Sequence, residues 1–250
     1  MSEHRDEQSH YEAIKQTINY DDDRRLVTIG ERVFPVVDTR DPALGSKKAT
    51  YWLAGEPRRV LKTARTDTQN DRAIFKAMDQ SIAGEAILRE LAIPHPQILD
   101  KDSEGPPYRY YIQEAVHEGS RSAADLIKEN ALTETDIAQL ASYINRSELE
   151  KEWQIDTNPF NWYRVPKEDG TTEMTYVDGK AYPYEKAWKF RRVGLLQWTT
   201  PDYVLSASNR SAAIPRERQY EELRDRWEAD TSELSSWWKK YLDPSLQPGK

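Results

Sequence analysis

Asp156-Thr157-Asn158-Pro159-Phe160-Asn161-Trp162, with Val177-Asp178-Gly179 downstream of it, is the stretch on which the reading of this chain turns. The first piece has the pattern D-x-x-P-x-N and the second is D-G. Two carboxylates and an amide oxygen are hard oxygen groups. They suit a divalent cation and the orientation of a hydroxyl for phosphoryl transfer. Pro159 stiffens the loop between Asp156 and Asn161, and Gly179 permits a turn directly after Asp178. Taken singly, either piece also reads as Asp and Asn capping turns. The intervening sequence joins them. Trp162-Tyr163-Arg164-Val165 and Met174-Thr175-Tyr176-Val177 flank Glu168-Asp169-Gly170 and predict a β-hairpin, which would return Asp178 beside Asn161.

Working outward from the hairpin, the sequence upstream predicts helices over 122–129 and 133–150, the second opening on Thr133-Glu134-Thr135-Asp136. Downstream it predicts a helix over most of 184–198, a loop at 206–211 and one long amphipathic helix over 215–242, with Tyr220, Leu223, Trp227, Leu234, Trp237, Trp238 and Tyr241 on its apolar side. The first half reads differently. Short apolar runs at 26–29, 33–37, 49–53 and 59–63 predict an antiparallel meander, with a loop over 38–48 and a turn at Gly55-Glu56-Pro57. A helix over 71–91 follows, with Ile74, Phe75, Met78, Ile82, Leu88 and Leu91 at helical spacing and Pro94 and Pro96 beyond its end. Strands at 98–99 and 108–112 close this half. Residues 1–25 and 244–250 read as flexible, solvated tails, the first with one helical stretch around Tyr11–Ile18.

Composition narrows the function classes. The chain has 250 residues, 37% of them hydrophobic and 32% charged, with a formal net charge of -7. A net negative chain is not steered toward nucleic acid or anionic membrane. The 8 Trp and 14 Tyr supply core surface. Trp153, Trp162, Trp188, Trp198, Trp227, Trp237 and Trp238 fall mostly on apolar faces, as core anchors rather than a platform for stacked bases. There is no cysteine, so no disulfide and no thiol nucleophile. His4, His10, His95 and His117 are scattered, without the spacing of a zinc site. Residues 1–20 carry no apolar leader core and no window approaches a membrane span, so a cytoplasmic protein is expected.

Three further positions stand out. Lys62, in Val60-Leu61-Lys62, lies on the last strand of the meander, where an inward lysine could reach nucleotide phosphates. Glu85 on the following helix is the candidate to hold it, with Glu90 as the alternative. Tyr111-Ile112-Gln113-Glu114-Ala115-Val116 is an apolar strand whose exposed backbone edge could hydrogen-bond an adenine ring.

In this order the parts resemble the protein-kinase superfamily, in a compact, divergent form similar to small bacterial effector-type kinases. Val60-Leu61-Lys62 resembles the strand with the phosphate lysine, Glu85 its helix partner, and His95-Pro96-Gln97-Ile98 the H-P-N-I segment. Gln113-Glu114-Ala115-Val116 resembles the gatekeeper and hinge. Asp156 resembles the catalytic aspartate, Asn161 the metal-binding asparagine, and Asp178-Gly179 the start of D-F-G. The resemblance covers roughly residues 26 to 200. It implies an α+β, two-lobed protein-kinase-like fold, with a small β-rich N-lobe over 26–118 and a reduced helical C-lobe over 119–243. It also implies ATP and Mg²⁺ as cofactors, bound through Lys62, Gln113, Glu114 and Val116 for the nucleotide and through Asn161 and Asp178 for the metal. The γ-phosphoryl group would pass to a hydroxyl, of protein Ser/Thr or of a small molecule. A catalytically inactive member that acts as a binding module is the third form the resemblance allows.

The chain also departs from the family pattern. Gly45 is the only glycine between Asp38 and Lys48, where the glycine-rich loop would fall. Gln154-Ile155 replaces His-Arg before Asp156, Asn158 replaces the usual lysine, Gly179 directly follows Asp178, and no A-P-E follows. The loss of A-P-E and of the catalytic-loop lysine suits a small-molecule acceptor.

Overall fold

Runs of β-branched and aromatic residues separated by turn formers put strands first, and the first half of the chain builds a sheet from them. The structure, a computed structural model, describes residues 2–40, 48–55, 58–66, 71–183, 195, 198 and 216–248. The sheet has seven antiparallel strands: β1 (Ile18–Asp21), β2 (Leu26–Ile29), β3 (Arg32–Arg40), β4 (Lys48–Leu53), β5 (Arg59–Ala64), β6 (Ile98–Lys101) and β7 (Tyr110–Glu114). Their order is β1-β2-β3-β4-β5-β7-β6. Between β5 and β6 the chain forms a helix over Asp71–Glu90. Its Ile74, Phe75 and Met78 are buried with Leu61, Ile112 and Tyr111 in the core of this unit.

Residues 1–25, expected to be a flexible tail with a helical stretch around Tyr11–Ile18, carry a longer helix, α1 (Ser2–Lys15), followed by β1; the helix over Asp71–Glu90 is therefore α2. Sparse apolar residues suffice to dock them. Tyr11 and Ile14 pack on the core, Tyr11 stacks on Phe75 at 5.1 Å, and Lys15 Nζ pairs with the buried Asp71 carboxylate at 2.6 Å. β1 then adds to β2 in register from Ile18↔Ile29 to Asp21↔Leu26.

The second half comprises β8 (Arg121–Ser122), α3 (Ala123–Lys128), α4 (Glu134–Asn145), β9 (Trp153–Ile155), β10 (Trp162–Pro166), β11 (Thr172–Tyr176), β12 (Ala181–Pro183), α5 (Arg216–Ala229) and α6 (Glu233–Tyr241). A π-helical turn, Arg146–Glu150, continues α4 as far as the sequence predicted. The single helix expected over 215–242 is two helices. Asp230 Oδ1 accepts the Ser232 N–H at 2.8 Å, and Ser232 Oγ accepts the Ser235 N–H at 3.2 Å, so a fresh N-cap breaks the run. The segment expected to be a C-terminal tail contains the short 3₁₀ helix Pro244–Leu246, whose Leu246 is buried in the core. Most of the predicted helix at 184–198, the loop at 206–211, Gly45 and the Glu56-Pro57 part of the turn lie outside the described residues.

The chain is α+β and divides into two compact units: Met1–Glu85 with Pro96–Ala115, and Ala86–His95 with Val116–Lys250. The end of α2 belongs with the second unit because Leu88, Leu91 and Ile93 are buried in that unit's core. The same core holds Trp162, Trp198, Trp227 and Trp238, four of the tryptophans read as anchors. No helix among the described residues is long and apolar enough to cross a membrane.

Candidate active site

In the second unit the predicted hairpin forms, in register from Trp162↔Tyr176 to Pro166↔Thr172. Helix α4 positions it through polar side chains. Gln139 accepts the Met174 N–H at 2.9 Å and donates to the Thr172 carbonyl at 3.1 Å. Asp136, part of the Thr133 capping box, receives Arg164 Nε at 3.0 Å. The Arg164 guanidinium also donates to the Ala131 carbonyl at 2.8 Å. Trp162 lies between two aromatic neighbours, stacked on Tyr143 at 6.1 Å and tilted against Tyr176 at 4.9 Å. Burial pushes the Tyr143 hydroxyl up to about 12, so it stays neutral at ordinary pH.

The loop Asp156–Asn161 hangs on this frame. Asp156 Oδ1 accepts the Asn158 N–H at 3.0 Å, and Asn158 Oδ1 accepts the Phe160 N–H at 3.0 Å, capping a single 3₁₀ turn at Pro159–Asn161. The Asp156 carbonyl accepts Trp162 Nε1 at 3.1 Å, and the Thr157 carbonyl accepts Trp198 Nε1 at 2.6 Å. Asp and Asn thus cap turns here, as a purely local reading allows. That does not exhaust the loop, because its backbone is also fastened to the segment holding Asp178.

Two links make that fastening. The Val177 N–H donates to the Asn161 carbonyl at 2.9 Å, extending the hairpin by one residue, so that Val177 faces Asn161 and Asp178 is the next residue along. β9 and β12 pair at Ile155↔Ala181, which brings the chain at Asp156 beside Lys180. The fully buried Tyr176 hydroxyl spans the gap between the two segments: it accepts the Asp156 N–H at 3.3 Å and donates to the Lys180 carbonyl at 3.1 Å. Burial and the nearby Asp178 and Asp156 carboxylates hold this hydroxyl well above its usual range, so it does not ionise and keeps its proton to donate. Gly179 adopts φ 76°, a left-handed conformation that glycine takes without strain.

Sequence reasoning missed two residues of this arrangement. Lys180 Nζ reaches both Asp178 oxygens, at 2.9 and 3.1 Å, with side chains only 11% and 10% exposed. Its closeness to Asp178 in sequence was visible, but alternation alone does not tell that both side chains turn to one side across Gly179. Tyr176 was read as a strand residue, and nothing in a β-strand pattern marks which hydroxyl will tie two loops together. The residue types expected to hold a metal suit Mg²⁺: the Asp178 carboxylate and the Asn161 amide are oxygen groups, and Mg²⁺ keeps water and phosphate oxygens in its remaining positions. Among the described residues no cluster of three or more His, Cys, Asp or Glu forms a cage that would hold a metal without such help.

The first unit holds Lys62, Glu85, Gln113 and Glu114. Lys62 lies on β5 opposite Thr50 and Tyr111, and is 9% exposed. Its Nζ stands 5.9 Å from the Tyr111 ring centre. Lys48, on β4, approaches the same ring at 5.9 Å and donates to Ser81 Oγ on α2 at 2.9 Å. Glu85 Oε1 accepts the Ile98 N–H at 3.1 Å, fastening α2 to the start of β6. Glu90, the alternative partner for Lys62, belongs to the second unit, where its carboxylate meets Lys151 Nζ at 3.4 Å.

The segment read as an exposed edge is not one through Glu114. β7 lies between β5 and β6, because the chain after Pro96 doubles back and forms the outer strand itself. The Glu114 N–H donates to the Gln97 carbonyl at 2.9 Å and the Ala115 N–H to the Arg58 carbonyl at 3.2 Å. Gln113 is buried opposite Val60, and Val116 begins the longer segment of the second unit.

No family model and no curated protein matches the chain. Among solved structures, that of vaccinia related kinase 3 is similar over 97% of this chain and 91% of its own, at 13% identity and a TM-score of 0.45. WbdD is similar over 90% of this chain and 50% of its own, at 13% identity and a TM-score of 0.45. The PknI kinase domain of Mycobacterium tuberculosis, as a double mutant, is similar over 87% of this chain and 90% of its own, at 11% identity and a TM-score of 0.44.

Proposed function

We propose that the protein is an ATP- and Mg²⁺-dependent phosphotransferase that moves the γ-phosphoryl group of ATP to a hydroxyl. The observation that carries this reading is the fastening of the loop at Asp156–Asn161 to the segment at Val177–Lys180 by Val177 and by the Tyr176 hydroxyl. It supports a reading in which Asp156, Asn161 and Asp178 act together in such a transfer.

Each residue has a role in this reading. Lys62, with Glu85 on α2, supplies the ammonium for the nucleotide phosphates, and Val116, beyond the paired part of β7, supplies the adenine contact. Asn161 and Asp178 hold Mg²⁺, which when bound neutralises charge on the phosphates. Asp156 orients the acceptor. The acceptor oxygen forms its bond to the γ-phosphorus as the bond to the ADP oxygen breaks, and the hydroxyl proton passes to the Asp156 carboxylate. That carboxylate is preorganised by the Asn158 N–H on its Oδ1. The acceptor is Ser or Thr of a protein; the missing A-P-E segment and catalytic-loop lysine are the features that suit the small-molecule alternative. An inactive binding module would bind nucleotide without turnover.

The test is transfer of labelled γ-phosphate to protein mixtures and, separately, to metabolite mixtures, with ADP release as a second readout. Asp156→Ala is expected to lower the rate by about 10²–10⁴-fold, the range for loss of a positioned base, while leaving the stabilisation of the protein by Mg-ATP in place. Stabilisation by Mg-ATP without transfer to any acceptor would make the protein a binding module. Absence of both would end the phosphotransferase reading.

A further inference from the structure

We propose that Lys180 is the resident cation of the Asp178 carboxylate, and that it sets the affinity of this carboxylate for a divalent cation, which must displace it. The proposal rests on the phosphotransferase reading in taking Asp178 as a metal ligand, and it adds a residue to which no role has yet been assigned.

The argument begins with burial. A carboxylate that is 10% exposed needs a positive partner, since isolated charge in a poorly solvated site is costly. Lys180 provides one through contacts with both oxygens, at 2.9 and 3.1 Å. The lysine backbone is fixed: its carbonyl accepts the Tyr176 hydroxyl at 3.1 Å, and the next residue pairs with Ile155. Its side chain is a different matter. A lysine carries a compact charge on a flexible four-carbon stem, so the ammonium can swing away without disturbing the strand that bears it. A divalent cation on Asp178 and an ammonium at 2.9 Å from the same carboxylate would repel each other strongly at such range. The two therefore compete for one ligand. The displaced ammonium keeps its charge and can turn to the phosphate oxygens of an incoming nucleotide, which links metal entry to nucleotide entry.

Loss of the free Mn²⁺ signal in electron paramagnetic resonance tests this directly on the full chain, without depending on turnover. Lys180→Met removes the competitor. It should bind Mn²⁺ about tenfold more tightly than wild type, a conservative share of the repulsion expected at this distance, and should melt at a lower temperature without metal. Lys180→Arg keeps the charge and adds a planar fork that grips a carboxylate with two donors. It should bind Mn²⁺ more weakly than wild type, so the proposal stays testable if the Met variant folds poorly. Asp178→Asn should abolish the tight Mn²⁺ site in either background. If Lys180→Met and Lys180→Arg both titrate like wild type, the competition is disproved while the metal reading of Asp178 stands. If wild type and Lys180→Met both fail to bind Mn²⁺ up to millimolar concentration, with or without a non-hydrolysable ATP analogue, the metal reading and this proposal fall together.

Discussion

Two turns in this protein each bury a carboxylate against a cation, and they do it in different ways. In the first unit Asp102 is 3% exposed and accepts Arg109 Nε at 2.6 Å, Arg109 Nη2 at 2.9 Å, and the backbone N–H groups of Arg109 and Glu104 at 3.1 and 3.3 Å. In the second unit Asp178 faces Lys180, a point charge on a flexible stem, next to the segment that holds Asp156. The Arg109 fork is rigid, matches both carboxylate oxygens and is backed by main-chain donors, so the pair is built to stay closed. The Lys180 ammonium is held by contacts that a divalent cation could replace. Burial of an ion pair therefore does not by itself distinguish a structural clasp from a site. What distinguishes them is the identity of the cation: a rigid two-donor fork in one, a point charge on a flexible stem in the other.

The largest effect should come from breaking the closed clasp. Arg109→Met leaves the Asp102 carboxylate buried without its guanidinium. Loss of one partner from a buried pair costs about 3–5 kcal/mol, to be read as a drop in the urea midpoint with an unchanged slope. A loss below about 1 kcal/mol, the range of an exposed pair, would mean that the two turns do not differ in the way argued here. The Arg109 guanidinium also meets Glu104 at 2.6 Å, but Glu104 is 72% exposed and is expected to contribute little.

The acid side of the stability curve sharpens the same contrast. Burial pushes the Asp102 carboxyl up, but the Arg109 guanidinium and the backbone N–H groups outweigh it, and the group titrates below its ordinary range. A depressed carboxyl lends stability above its unfolded value, about 3.9, and that stability is lost as pH falls through the lower folded value. Asp102→Asn should therefore cost about 1.5–3 kcal/mol near neutrality, the range for hydrogen bonds to a charged group. The gap to wild type should close as thermal melts are taken below about pH 4. Asp79 works in the opposite direction, since burial raises its carboxyl, but it is present in both proteins and cancels from the comparison. A gap that holds constant down to pH 3 would contradict the assignment.

These contrasts also explain what was legible in the sequence. Local chemistry was readable. Glu168-Asp169-Gly170 between two alternating runs gave the hairpin, and the helical spacing from Ile74 to Leu91 gave α2. Helix ends that depend on a single cap were less so. Asp230 and Ser232 stand where the long C-terminal helix breaks, yet the apolar stripe runs on through Trp227 and Trp238 and conceals the break. Polar composition misled at the N-terminus, because Tyr11, Ile14 and Ile18 are enough to anchor a helix and a strand to an existing core. Long-range choices were not readable at all. Which strand takes the outer position beyond β7, and which tyrosine hydroxyl ties Asp156 to Lys180, depend on contacts between segments distant in sequence. At the candidate site the residue types Asp156, Asn161 and Asp178 stood out in the sequence, whereas Tyr176, which joins their segments, did not.

The smallest expected effect on stability tests that tie. Tyr176→Phe keeps the ring against Trp162 at 4.9 Å and removes only the hydroxyl. The Asp156 N–H and the Lys180 carbonyl then lose one partner each inside the protein, at a net cost of about 1 kcal/mol for each of the two hydrogen bonds. If the hydroxyl merely fills a polar gap, the variant should lose that stability and nothing else. If it aligns the two segments, as the phosphotransferase reading requires, the loss should be larger in function than in folding. The Mn²⁺ affinity and the rate of phosphoryl transfer would then fall together, since the backbone carrying Lys180 and that carrying Asp156 would no longer be held at one separation. A variant with wild-type Mn²⁺ binding and transfer but a lowered melting temperature would reduce Tyr176 to a packing residue. The hairpin and the Val177 link alone would then have to account for the approach of the segment carrying Asp178 to the loop at Asp156–Asn161.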